Sequence, residues 1–294
     1  MSRDDIIIAG AGIAGLTAAL SFAAKGFSVR LFERRERLEE VGAGLQLSPN
    51  ATRILGPLGV LEHLGRSAVR PQAILLKNAA DLATLARVPL GRSAETRWRA
   101  PYLVAHRADL QRALLECVRR QPAITLETGV QVTDAAFAPE GVTVNLEGAA
   151  TRRRGSCRLL IGADGVWSRL RQITGADPSR FAGLVAYRSV VPAGQREATI
   201  AVSDAVTAFL SPRFHLVGYP VRGGDLINFV AIARAPEIPA GWGARADTAP
   251  LFSALEKAAP DLIRLVKSGP TWTAWPIHDM SSEGKWIHPG GLAL

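Results

Sequence analysis

The chain of 294 residues carries 35 lysines and arginines against 26 acidic residues, a formal net charge of +9, with 48% hydrophobic and 6% aromatic residues. That length suffices for one large or two ordinary domains with their own cores, and the composition excludes a disordered chain. The basic excess is not a nucleic-acid footprint: Arg152-Arg153-Arg154 is the only run of three, and no aromatic residues are interleaved with the cations.

Attraction of anionic cofactors and carboxylate substrates is the better use of such a charge. Cys117 and Cys157 are too few and too isolated for a disulfide framework or a metal knuckle, so no metal is expected. The first thirty residues hold no apolar run long enough for a membrane span, and a cytoplasmic location is expected.

Ile6, Ile7, Ile8 and Ala9 lead into Gly10, Gly12 and Gly15, then a small-residue helical pattern, then a second apolar run ending at Glu33. This spacing predicts a β-turn-α-β unit. Gly10 lets the chain leave the strand in a tight turn, Gly12 clears a place for a pyrophosphate, and Gly15 lets helix and strand approach. Ile13 and Ala14 lie between them, where the unpaired N–H groups of a helix start favour an anion. A carboxylate at Glu33 accepts from both ribose hydroxyls and disfavours a 2′-phosphate. The ligand is an adenine dinucleotide, FAD or NAD rather than NADP.

Arg34 follows beside the ribose and can lie over the adenine. In GAGLQLSPNATRIL, Gly42 and Gly44 allow a flat ligand to approach the backbone, Gln46 is the nearest polar residue, and Pro49-Asn50 opens a helix. Residues 73–78 and 84–89 read as a hairpin around Asn78-Ala79-Ala80-Asp81. A strand into Val104 precedes a helix with Leu110, Leu114 and Val118 on one face. Arg107, just before its first turn, is disfavoured by the helix dipole unless an anion shares the site.

Residues 125–128, 130–137 and 142–146 read as a strand meander, with Val130 at an edge where its backbone can meet adenine. Leu159-Leu160-Ile161 then ends in Gly162-Ala163-Asp164-Gly165, a second strand-to-helix junction. Asp164 is either a ligand contact at the carboxyl end of the strand or a helix N-cap. From Pro178 the pattern turns all-β: residues 183–191, 199–210, 214–221 and 226–233, the last two joined by a hairpin at Arg222-Gly223-Gly224-Asp225. Period two puts His215, Val217 and Tyr219 on one face, either a lined pocket or a sheet face with its own hydrogen bonds. A helix is expected around residues 251–265, then a return segment with Trp272, Trp275 and His278. Gly290 to Leu294 looks like the first half of a buried strand.

Four stretches in this order, GAGIAG with Glu33, HRADL around Arg107, GADGVWSRLR around Asp164 and YPVRGGDLINFVA from Tyr219 to Ala231, resemble the class A flavin-dependent aromatic hydroxylases. The likeness is to the salicylate hydroxylase and 6-hydroxynicotinate 3-monooxygenase branch. It implies an α/β fold: an FAD-binding Rossmann-like domain of the glutathione reductase and para-hydroxybenzoate hydroxylase type, with a second, mainly β substrate domain. The division is expected at 1–177 plus 272–294 for the first and 178–271 for the second.

The resemblance also implies FAD as cofactor, NADH or NADPH as co-substrate, and O2 incorporated into a small phenol or aromatic carboxylate. Gly10, Gly12, Ile13, Ala14, Gly15, Glu33, Arg34, Gly44, Arg107, Val130, Asp164 and Gly165 would serve the cofactor. Tyr219 matches a tyrosine proposed as acid/base toward the substrate, His215 a histidine of the same pocket, and Gln46 stands where the hydroxynicotinate enzyme has a histidine. A homodimer is left open. After a segment like Gly290–Leu294 the family continues with a Gly-Asp motif and further helices, so a C-terminally truncated member is expected. Two other readings stay open: a non-catalytic fragment with little FAD binding, and another flavoenzyme of the same scaffold, such as a reductase or halogenase.

Overall fold

A computed structural model describes residues 4–38, 43–149, 152–194, 200, 204–238, 244–268, 271–281 and 284–294; Gly42 lies outside them. In chain order the elements begin β1 (Asp4–Ala9), α1 (Ile13–Ala23), β2 (Val29–Glu33), β3 (Gly44–Leu47), α2 (Pro49–Leu55), α3 (Val60–Leu64), β4 (Ala73–Asn78), β5 (Thr84–Pro89) and α4 (Arg92–Trp98). There follow β6 (Leu103–His106), α5 (Arg107–Arg119), β7 (Ile124–Thr128), β8 (Val130–Ala138), β9 (Gly141–Gly148), β10 (Arg152–Gly162) and α6 (Leu170–Ile173). The last part holds β11 (Arg180–Pro192), β12 (Ala205–Leu210), β13 (Phe214–Val221), β14 (Leu226–Arg234), β15 (Ala244–Arg245), α7 (Ala249–Ala254), α8 (Pro260–Ser268), β16 (Thr273–Asp279), β17 (Ile287–His288) and β18 (Leu292–Ala293).

The first sheet runs β17-β18-β10-β1-β2-β7, and β1 pairs in parallel with both β2 and β10. A strand covered on both faces must be apolar throughout, which is why β1 reads as a run of isoleucines rather than an alternation. Ile6 and Ile8 face a core formed with α1 and α5, and Ile7 faces the opposite core with Val144 and Leu146. Gly15, Leu16, Ala19, Leu20 and Ala23 line the buried side of α1, and small residues there let the helix lie close to the sheet.

The second sheet runs β15-β16-β11-β14-β13-β12-β4-β5. Phe209, Phe214, Leu216, Phe229 and Ala231 pack on α7 and α8 through Leu251, Leu255, Leu262 and Leu265. Alternation along β13 then turns His215, Val217 and Tyr219 to the other face, toward the first sheet. Between the sheets a short ribbon pairs β3 with β6 antiparallel.

Three sequence expectations change. The β7 strand is not part of a meander: it pairs in parallel with β2, Phe32 opposite Glu127, and only β8, β9 and β10 form the antiparallel run. The second sheet is not confined to 178–271, because β4 and β5 extend it through the parallel β12–β4 pair and β16 borders β11. Pairings between strands far apart in the chain leave no local mark on a sequence, whereas hairpins and a β-α-β unit do. The single helix expected around 251–265 is two, interrupted before Pro260, whose ring cannot continue a helix from the preceding turn.

Candidate active site

The carboxyl ends of β1 and β10 open on a cavity of about 630 Å³ whose far wall is the second sheet. Gly10 leaves β1 with φ +100°, a conformation that glycine alone adopts without strain. A Cβ at Gly10 would lie 2.3 Å from the Ala163 carbonyl oxygen, and one at Gly15 1.8 Å from the Gly10 carbonyl oxygen, so both glycines are fixed by backbone against backbone. Gly12 differs: a Cβ there meets nothing within 4 Å and would project into open space. Gly12 is the N-cap of α1 with no side-chain cap, and the first turn carries no acidic residue. The helix therefore presents uncapped N–H groups beside a cavity whose rim holds Arg34, Arg35, Arg107, Arg169 and Arg188.

Glu33 stands on the same wall. Its two carboxylate oxygens accept from Ala11 N at 2.9 Å and Arg35 N at 3.0 Å, which orients the group and leaves each oxygen a second lone pair. Asp164 makes the capping contact that its sequence position allowed and keeps one oxygen free on the cavity side. Its Oδ2 caps the turn after β10, accepting from Arg169 N at 2.9 Å and Leu170 N at 3.3 Å, while Oδ1 is buried with no hydrogen-bond partner among the described residues. Gly165 and Val130 also line the cavity. Arg107 opens α5, and its backbone N donates to Ala43 O at 3.0 Å. Ile13 and Ala14 form the first turn of α1, and Gly44 lies against the second sheet rather than on the cavity wall.

An uncapped helix start, a clearing at Gly12, a ring of guanidinium groups, a carboxylate with spare lone pairs and an orphaned buried carboxylate oxygen fit a diphosphate joined to polyhydroxylated sugars. The donor set suits FAD.

Opposite these groups, the rows of the second sheet are Arg188–Val230–Val217 and Ala186–Ile232–His215, with Asn228 beside Tyr219. Ala186, Arg188, Val230 and Ile232 reach the cavity itself; His215, Tyr219 and Gln46 do not line it and sit one strand or more beyond. Tyr219 is buried at 3% exposure, whereas His215 and Gln46 are exposed. Gln46 Oε1 accepts from the Tyr102 hydroxyl, and Tyr102 packs in the small cluster that contains Tyr219, Val104 and Val221.

Burial pushes the Tyr219 phenol far above its ordinary range, with the Arg188 guanidinium opposing and Tyr102 adding to the rise. Tyr219, like any phenol neutral and a hydrogen-bond donor near neutrality, therefore stays so further into the alkaline range. Burial pulls Arg188 down, countered by Tyr219 and reinforced by Arg107, but a guanidinium keeps its charge. Its Nε has no hydrogen-bond partner among the described residues, and its guanidinium lies over Trp275 at 4.8 Å.

Sequence reasoning missed Arg188, Tyr102 and Asn228. Period two along residues 183–191 would have set Arg188 among apolar neighbours as a buried cation in need of a reason. Nothing local marked Tyr102 or Asn228.

The protein's three tyrosines, Tyr102, Tyr187 and Tyr219, are all raised by burial, Tyr187 further by the Asp247 carboxylate. Because the folded state holds them protonated, their contribution is fully present below the unfolded tyrosine value of about 10 and is lost as pH rises through the folded values. Tyrosinate absorbance at 295 nm is expected to lag behind that of the denatured chain, with the denaturant midpoint falling above about pH 10. A native titration coincident with the denatured one would refute this.

A family model described as an FAD binding domain matches residues 3–281. The 3-amino-4-hydroxybenzoate 2-monooxygenase of Streptomyces cremeus is 36% identical over 274 residues, covering 93% of this chain and 67% of that protein. The 3-hydroxybenzoate 6-hydroxylase 1 of Aquipseudomonas alcaligenes is 32% identical over 289 residues, 97% of this chain and 72% of its own length. A solved salicylate hydroxylase substrate complex superposes with a TM-score of 0.80 at 26% identity, covering 99% of this chain and 72% of that one. No helix among the described residues is long and apolar enough to cross a membrane.

Proposed function

Because the chain belongs to the FAD-binding family of class A aromatic hydroxylases, we propose that it is an FAD-dependent monooxygenase for a small hydroxylated or carboxylated aromatic ring. The observation that carries this reading is the placement of the β1–α1 junction, with its clearing at Gly12, across one cavity from a sheet face bearing Arg188.

Gly10, Gly12 and Gly15, with the first turn of α1 at Ile13 and Ala14, would hold the diphosphate, and Glu33 the adenosine ribose. Arg34 and Val130 would flank adenine, while Arg107, Asp164 and Gly165 would meet the ribityl chain and the nicotinamide co-substrate. When bound, FAD supplies the redox chemistry: hydride acceptance from NADH or NADPH, and delivery of one atom of O2 to a ring carbon.

The rest falls to this chain's residues. Val217, Val230 and Ile232 offer an apolar bed for the ring and exclude water from one side of it. Tyr219, a neutral phenol that burial makes still harder to ionise, donates a hydrogen bond to the substrate's hydroxyl oxygen and stabilises the phenolate left when that proton passes to solvent, rather than taking the proton itself. His215 lies on the same strand face to position the ring. Arg188 attracts an anionic substituent and raises the local concentration of acidic substrates. Gln46, oriented by Tyr102, presents its amide toward the same side.

The test is the visible spectrum of the purified protein incubated with FAD, then NADH oxidation with a panel of hydroxybenzoates under ¹⁸O2. Flavin uptake and one labelled oxygen in the product are expected. A protein that binds FAD and oxidises NADH, yet whose product carries no label with any ring, would overturn the oxygenase reading in favour of a reductase or halogenase of the same scaffold.

A further inference from the structure

Asn228 on β14 has no exposed surface, and its Oδ1 accepts a hydrogen bond from Gly44 N at 2.6 Å. It is also the cross-strand partner of Tyr219. A Cβ at Gly44 would fall 2.6 Å from Tyr219 Cε2 and 2.9 Å from Asn228 Cγ, so the loop backbone is pressed into the corner formed by these two side chains. Asn228 Nδ2 has no partner among the described residues. A fully buried carboxamide held through its oxygen alone is a costly choice for a strand position that a leucine would fill, and the acceptor it gives to Gly44 accounts for it.

The contact reaches further through the ribbon. Gly44 is paired with His106, and Arg107 N donates to the carbonyl of Ala43 at 3.0 Å. The Asn228 amide therefore ties β3 to the second sheet beside Tyr219, while the ribbon's own backbone bonds tie the same segment to the start of α5 at Arg107.

We propose that Asn228 is a positioning residue for the reaction: its carboxamide oxygen sets the distance between the start of β3 at Gly44, whose ribbon partner β6 leads into Arg107 on the cavity rim, and the substrate-side phenol of Tyr219. The proposal rests on the aromatic hydroxylase reading for its catalytic consequence, but the contact itself is testable without cofactor.

Asn228→Leu keeps the branching and the number of heavy atoms, with bulkier terminal groups, and removes the acceptor; Asn228→Asp keeps an oxygen in the same place. In cofactor-free protein, exchange of the Gly44 amide hydrogen followed by NMR is expected to quicken about tenfold or more in Asn228→Leu, and to be largely restored in Asn228→Asp. In FAD-loaded enzyme, flavin reduction by NADH should stay within twofold. The KM for the aromatic acid should rise, and the hydroxylated product formed per NADH consumed should drop about tenfold, again with recovery in Asn228→Asp. If the leucine variant does not fold, Asn228→Ala is read in the same way. Unchanged Gly44 exchange, faster exchange with unaltered KM and product yield, or an aspartate variant no better than leucine would each overturn the proposal. Wild-type protein that took up no FAD would overturn only the hydroxylase reading, since the exchange comparison still decides whether Asn228 holds the loop.

Discussion

Gly12→Ala is expected to fold as the wild type does and to bind FAD about 100-fold more weakly. A methyl group at this position meets no protein atom within 4 Å, so nothing in the folded chain resists it. The cost to the helix start is small, because alanine at an N-cap is less favourable than glycine by only about 1 kcal/mol. The methyl instead occupies the clearing in front of the uncapped N–H groups of α1. A diphosphate that cannot reach those groups loses close packing and hydrogen bonds together, about 3 kcal/mol or more, which is the hundredfold change. Gly15→Ala should behave in the opposite manner. Its Cβ would sit 1.8 Å from the Gly10 carbonyl oxygen, and backbone cannot give way as a flexible side chain can, so the β1–α1 junction itself must move. Destabilisation of about 3 kcal/mol or more is expected there, with loss of flavin as a consequence. Thermal unfolding of the two variants, paired with flavin titration by fluorescence quenching, separates the cases. A Gly12→Ala protein with wild-type FAD affinity would show that the clearing does not receive the diphosphate.

The second large effect belongs to Tyr219→Phe. The ring stays within its cluster of Val104, Val206 and Val221, so stability should change little, while the hydroxyl is removed from the face that would meet the substrate. Loss of one preorganised donor to a developing oxyanion typically lowers turnover by about 10²- to 10³-fold, and product formation is expected to fall by that amount. Reduction of the flavin by NADH, which does not use this phenol, should continue, so NADH is consumed with little hydroxylated product. Since burial keeps Tyr219 protonated, the pH profile of wild-type kcat/KM through the neutral range should carry the ionisation of the substrate and not that of an enzymic base. A Tyr219→Phe enzyme forming product within twofold of wild type would remove Tyr219 from the mechanism.

Arg188 and Asn228 illustrate what a residue's own neighbourhood in sequence conceals. Both lie in strands that are mostly apolar, and neither has a neighbour in sequence that explains it. Only the register of β11 against β14, and of β14 against β13, brings Arg188 to the cavity wall and Asn228 beside Tyr219. The partner that gives Asn228 its purpose, Gly44, stands far away in the chain. Tyr102 is hidden for the same reason, its hydroxyl reaching Gln46 across the β3–β6 ribbon. The expected trio of Gln46, His215 and Tyr219 rests on resemblance, with alternation adding only that His215 and Tyr219 share a face, and none of the three lines the cavity that the cofactor residues share.

The sequence by itself determined the β1–α1–β2 unit, the glycines at its turn, the carboxylate at Glu33, the second junction at Asp164 and the hairpin between β13 and β14. Each is written in a short stretch by residue type and spacing, even where the fold adds a distant partner, as Ala163 does for Gly10. Tertiary structure alone decided that β7 joins β2, that β4 and β5 complete the substrate-side sheet, that Tyr219 is buried, and that Gly44 is held by Asn228. These depend on pairing and desolvation between segments distant in the chain, and neither leaves a trace in the residues on either side.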